Sequence, residues 1–143
     1  MSIWGLLLMQ TALFLAADYA NHEASGKLNV LGIFNQINIQ EFPGKLRRLY
    51  LVIRLVATLG EYETKHDLKI AFYDQDGNEM AGQQGEITIP KPSGGPQFAG
   101  DLIIEVGDLP LPAPGRYEFK LIVNREVKDS LPIDVIHANP QPG

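Results

Sequence analysis

Apolar and polar side chains alternate with a period of two along most of this chain. No apolar period of 3.6 residues lasts long enough for a helix of ordinary length. Leu49, Leu51, Ile53, Leu55 and Ala57 alternate with Arg48, Tyr50, Val52, Arg54 and Val56, which predicts a long strand whose first set faces the core. Leu68, Ile70 and Phe72 alternate with Lys69, Ala71 and Tyr73, and that run ends in Asp74-Gln75-Asp76-Gly77-Asn78, a hairpin-turn signal. A further strand follows, then a short one marked by Ile87 and Ile89 and closed by Pro90. Lys91 to Pro96 reads as a mobile loop, and Leu102, Ile104 and Val106 form one face of the next strand. Three prolines between Leu109 and Gly115 predict a crossing connection outside any regular ladder. Tyr117, Phe119, Leu121 and Val123 share one face of the strand Arg116 to Val123. A turn at Asn124-Arg125-Glu126 leads into a last strand, Val127 to Ile136, which Pro132 assigns to an edge or a bulge.

At the start of the chain, Thr11 to Tyr19 reads as a buried strand, and the turn Ala24-Ser25-Gly26-Lys27 joins it to a second strand at Leu28 to Ile37. Eight or nine such strands leave half their apolar faces wet in one open sheet, whereas two sheets packed face to face bury them. The expected organisation is an apolar N-terminal extension at 1–8, a single β-sandwich domain at 9–136 and a flexible tail at 137–143. The apolar opening also fits a secretory signal or a membrane span. Against these stand the lack of any Lys or Arg before Lys27 and the interruption at Gln10-Thr11.

The 143 residues suit one domain, and 45% hydrophobic with 20% charged residues suits a globular core. With no cysteine, disulfides, thiolate zinc sites, iron–sulfur clusters and a cysteine nucleophile are excluded. A net charge of −5 argues against a nucleic-acid binder. Charge is unevenly spread: Phe42 to Gly60 holds Lys45, Arg47, Arg48 and Arg54 and no acid. That span carries +4, so the total of −5 leaves −9 for the rest. Arg48 and Arg54 flank Tyr50 on one strand face, a candidate contact for an acidic partner or an anion, set against a solvated face whose cations pair across strands.

Asp108-Leu109 followed by Pro114-Gly115-Arg116-Tyr117-Glu118-Phe119 resembles the corner that opens a late strand of immunoglobulin-like sandwiches. The resemblance implies an all-β, two-sheet immunoglobulin-like β-sandwich. Tyr117 is then a structural tyrosine corner, buried, with its hydroxyl bonded to backbone near Asp108 to Leu111. Ala17-Asp18-Tyr19-Ala20, the stretch Gly26 to Phe34 and the Pro-Gly-Arg-Tyr-Glu-Phe segment also resemble an uncharacterised bacterial family of small β-sandwich proteins of unknown function, over about Met9 to Val135. In that family the chain opens at the position of Met9. The resemblance implies the fold and a cytoplasmic location, and it carries over no catalytic residue.

Candidate chemistry is sparse. Asp74, Asp76 and Asn78 have the first, third and fifth spacing of an EF-hand, but Gly77 is misplaced and Gly85 stands where a bidentate Glu is required, so a plain turn is expected. His22, His66 and His137 read as single surface histidines, with Asp18, His22 and Glu23 as a conceivable cation site. Ser25, Ser93 and Ser130 lie in no nucleophile-elbow context, and no P-loop or Gly-x-Gly-x-x-Gly occurs. The expectation is a non-enzymatic binding or assembly module acting through loops or sheet edges, with no cofactor and no metal. Its expected partner is an unknown protein, or a second copy bound through the N-terminal arm and first strand; nucleic acid and membrane are not expected. The competing readings are a hydrolase built on scattered carboxylates and histidines, and an exported or anchored surface domain.

Overall fold

A computed structural model describes residues 9–57, 59–91 and 99–138. Nine strands lie among them: β1 (Gln10–His22), β2 (Leu28–Phe34), β3 (Gln36–Ile39), β4 (Gly44–Val56), β5 (Lys65–Tyr73), β6 (Glu79–Thr88), β7 (Ala99–Leu111), β8 (Gly115–Val123) and β9 (Glu126–His137). They form a four-stranded sheet, β2-β1-β4-β7, and a five-stranded sheet, β3-β9-β8-β5-β6. The ladders are antiparallel except that of β3 on β9.

The alternation on β4 places Leu49, Leu51, Ile53 and Leu55 in the core, facing Phe72, Tyr117, Phe119, Leu121 and Ile133 of the other sheet. Phe72 opposes Phe119 with ring centroids 4.6 Å apart and stacks on Tyr117 at 5.2 Å, so one aromatic cluster fills the middle of the sandwich. Val52 and Ala71 belong to the outward sets yet are fully buried. Val52 sits in register between Leu15 and Ile103, and Ala71 is a short side chain between Gly82 and the long stem of Lys120.

Several expected boundaries move. The single strand at Leu28 to Ile37 is two strands in different sheets. After Phe34 the chain bends at Asn35, whose carbonyl accepts the Asp134 N–H at 2.9 Å, and Ile37 continues on β9. Phe34, Ile37 and Ile39 all pack on the core, so the period of two breaks where the chain changes sheets. The first strand lies inside its sheet, as expected, flanked by β2 over Ala16 to His22 and by β4 over Gln10 to Ala17. The strand after the Asp-Gly turn and the short one at Ile87 are a single strand, β6, with Ile89 adding a lone bridge to Tyr62. Leu109 to Leu111 lies within the ladder, opposite Gly44 to Leu46, because β7 is an edge strand, the place where a sheet tolerates proline. Only 112–114 crosses between sheets.

At the other end, His137, expected in the tail, is the last residue of β9, opposite Ile39, and 139–143 lie outside the described residues. Pro132 lies where β9 has β8 as its ladder partner and β3 has not yet begun, while the bulge falls at Lys128. Thr11 of β1 hydrogen-bonds Asp129 of β9, tying the two sheets where β2 and β3 do not cover them. The arm at 1–8 and most of the loop Lys91 to Pro96 lie outside the described residues.

Candidate functional site

The period of two puts Arg48, Tyr50 and Arg54 on the outer face of the four-stranded sheet, as expected, but the register of β4 on β7 brings acids opposite them. Arg54 forms a two-pronged pair with Asp101, at 2.7 Å through Nε and 3.1 Å through its terminal nitrogen. The hydrogen bond to Asp101, then its charge, push the Arg54 guanidinium above its usual pKa. Arg48 pairs with Glu105 at 3.0 Å and Lys45 with Asp108 at 3.5 Å. The basic stripe is therefore met by carboxylates of β7, the arrangement of a solvated sheet face, and the two exposed pairs, Arg48–Glu105 and Lys45–Asp108, contribute little stability. The acids are in the sequence, but their partnership needs the β4–β7 register to be known.

Next to the charged rows lies an apolar surface. Tyr19 of β1 meets Tyr50 edge-on at 5.2 Å, and its ladder neighbour on β2 is Leu31; Ala17 is flanked by Ile33 on one side and Tyr50 on the other. Tyr19 is 44% exposed, and Leu31 and Ile33 are each 64% exposed. Of these residues the sequence alone marks Tyr50 as a surface candidate; Tyr19, Leu31 and Ile33 it does not. Their signal is the alternation Asn29, Leu31, Ile33, legible as an outward face only once the opposite face, Leu28, Val30 and Phe34, is known to turn inward.

A second polar cluster closes one end of the sandwich. His66, expected at the surface, is 6% exposed. Asn124 accepts the Asp67 N–H through Oδ1 at 3.0 Å, so its amide nitrogen faces His66 Nδ1 at 2.9 Å. That orientation makes Nδ1 the acceptor and assigns the proton to Nε2, which donates to the Glu61 carbonyl at 2.8 Å. The Thr64 hydroxyl, 3.0 Å from Nε2, donates to the same carbonyl at 3.2 Å. A threonine, a histidine and an asparagine thus meet in the order of a nucleophile, a base and an orienting group, yet the imidazole lone pair points away from the hydroxyl. The cluster ties the turn at Leu59–Glu61 to β5 and to the β8–β9 turn. Nearby, Glu61 accepts the Met9 N–H at 2.7 Å.

The Asp74 loop is a self-satisfied turn. Asp74 Oδ1 accepts the N–H groups of Asp76 and Asn78, both at 2.9 Å, and Oδ2 accepts the Asn78 amide at 3.1 Å. These bonds, led by that from the Asn78 backbone, hold the Asp74 carboxyl below the usual carboxylate range. Asp18, His22 and Glu23 do not assemble, and among the described residues no three acid, histidine or cysteine side chains converge as a metal site. No helix among them is long and apolar enough to cross a membrane. Shallow clefts follow the seam between edge strands β6 and β7; one of about 140 Å³ is lined by Phe72, Val106, Leu109 and Phe119 of the core.

At the corner between sheets Tyr117 is 4% exposed, and its hydroxyl donates to the Ala113 carbonyl at 2.7 Å. The partner is two residues beyond the expected span Asp108 to Leu111, because β7 runs to Leu111 and the crossing occupies 112–114. Two packed, mainly antiparallel sheets with a tyrosine corner at the start of a late strand define an immunoglobulin-like β-sandwich. The chain belongs to a family of unknown function, DUF6941, whose model matches residues 12–136. It is similar to an immunoglobulin-like protein from Pseudomonas aeruginosa, with 12% identity and a TM-score of 0.43 over 90% of this chain and 96% of that one. No curated protein sequence matches the chain.

Proposed function

We propose that this domain is a non-enzymatic binding or assembly module, and that its contact surface is the outer face of the four-stranded sheet around Tyr19, Leu31, Ile33 and Tyr50. The observation that carries this reading is the clustering of exposed apolar side chains on adjacent strands, bordered by ion-paired rows on β4 and β7. Scattered apolar side chains are normal on a surface, whereas a contiguous, polar-rimmed patch marks a place where another surface docks. Arg48 and Arg54, held by Glu105 and Asp101, then act as the polar rim and fix orientation. A photoreactive benzoylphenylalanine in place of Ile33, with Gln84 on β6 as the control position, tests the surface in living cells. A defined adduct from position 33 and none from position 84 is expected; equal labelling from both positions, or none, would overturn the proposal.

A further inference from the structure

Resting on that reading of the face, we infer that the four-stranded sheet is covered by the same sheet of a second copy of this chain, stacked face to face about a two-fold axis in the plane between them. The two outer faces of the sandwich differ in kind. On the five-stranded sheet, the alternation that buries Tyr117, Phe119 and Leu121 turns Arg116, Glu118 and Lys120 outward, as a face in water requires. On the four-stranded sheet the outward positions of β1 run Leu13, Leu15, Ala17 and Tyr19, with no charge among them. Leu15 continues sideways through Val52 of β4 to Ile103 of β7, while Tyr19 and Ala17 adjoin Leu31 and Ile33 of β2. The apolar surface therefore reaches from one edge strand of this sheet to the other.

Charge and shape select the occupant. Lys45, Arg48 and Arg54, which border the face, pair with Asp108, Glu105 and Asp101 of the same chain, so this border sums to zero and the whole −5 of the chain lies elsewhere. Two copies meet with least repulsion here, and none of those six charges is left unpaired to select a partner of opposite sign. Asp18 does not oppose the contact, because it alternates with Ala17 and Tyr19 and shares the other side of β1 with the core residue Ala16. A twisted sheet is matched in shape by another of the same hand, stacked about 10 Å away with strands within about 30°, as in the interior of this domain. A second copy supplies that sheet with an identical apolar face, as an isologous interface requires. From Leu13 to Asn21, nine residues at ~3.3 Å each, and across four strands ~4.8 Å apart, the face measures about 30 Å by 19 Å. Two such faces cover roughly 1,100 Å² in total, at the low end for a specific interface, so the dimer is expected to depend on concentration.

Light scattering on the full chain over a concentration series tests this. Wild-type protein is expected to rise toward twice the chain mass, as is Gln84→Lys on β6. Ile33→Lys on β2 and Ile103→Lys on β7 lie at opposite sides of the sheet, and each is expected to weaken association at least tenfold. Stacking of the faces needs both sides, whereas pairing along the β2 edge alone is indifferent to position 103. Glu105→Arg is an exposed change that turns the neutral border of each copy to +2, and it is expected to weaken association in the same direction. It therefore tests the β7 side even where Ile103→Lys fails to keep the wild-type circular dichroism spectrum. A wild-type chain that stays monomeric, or a dimer that survives the β2 change or the β7 changes, would overturn the inference. The photo-crosslink at position 33 separates the two levels of the argument. An adduct of two identical chains supports both, an adduct with a different protein removes the second copy and leaves the binding surface, and no adduct removes both.

Discussion

Tyr117 shows how one side chain fixes a corner. Its ring is held between β8 and Phe72, so the hydroxyl reaches only the short crossing, where it donates to Ala113 and receives the Ala113 N–H at 3.4 Å. Tyr117→Phe removes both bonds and leaves the packing; a loss of about 1 kcal/mol in chemical denaturation is expected, and an unchanged midpoint would show the corner to be held by packing alone. Asp74 makes a different kind of contribution. Its folded carboxyl is held below its unfolded value, so its stabilisation is present above the ordinary carboxylate range and is lost as pH falls through the lowered folded value. Asp74→Ala should therefore lower the melting temperature at neutral pH, and its gap from wild type should shrink in acid. Because those oxygens are already spent on the turn, submillimolar calcium is expected to leave the wild-type melting temperature unchanged.

Among the elements, the β8–β9 hairpin departs from its preferred local chemistry. The connection is Asn124-Arg125, with φ of 51° and 68°. A two-residue turn with both φ values positive is the primed type that matches strand twist, and it favours Asn-Gly. Asn124 is in place, bonded to Asp67 and His66, while exposed Arg125 carries the strain of a Cβ in the left-handed region. Arg125→Gly is expected to stabilise the protein by up to about 1 kcal/mol, read as a higher denaturation midpoint; destabilisation would mean that the arginine side chain makes a contribution that outweighs the strain. This turn was legible in the sequence, as were the inward faces of β4, β5 and β8, because a period of two survives any choice of neighbour. What sequence could not supply was adjacency. The pairing of Arg54 with Asp101, the burial of His66 and the outward exposure of Leu31 and Ile33 all depend on which strands lie side by side. The switch from β2 to β3 did leave a local trace in the odd spacing between Phe34 and Ile37, where an unbroken strand keeps even spacing on one face.

At the scale of the whole molecule, the five-stranded sheet is assembled from contacts of very different reach along the chain. β8 and β9 meet through a two-residue turn, whereas β3 must find β9 across most of the sequence, pairing Gln36 with Asp134 and Ile39 with His137. Closing a longer loop costs more chain entropy, so contacts of long separation form profitably only after nearer ones have organised their partner. Since β2 and β3 are divided by Asn35 alone and lie at edges of opposite sheets, this segment works as a clasp that can close only when both sheets exist. Ile37 on the clasp and Val123 on the hairpin are both buried, and each change to alanine removes enough apolar contact for a reliable kinetic comparison. Ile37→Ala is expected to speed unfolding with little effect on refolding, a φ-value below about 0.3, while Val123→Ala slows refolding with a φ-value of about 0.5 or more. Stopped-flow chevrons measure both. The opposite ranking would place the clasp in the folding nucleus and make the β8–β9 hairpin a late addition.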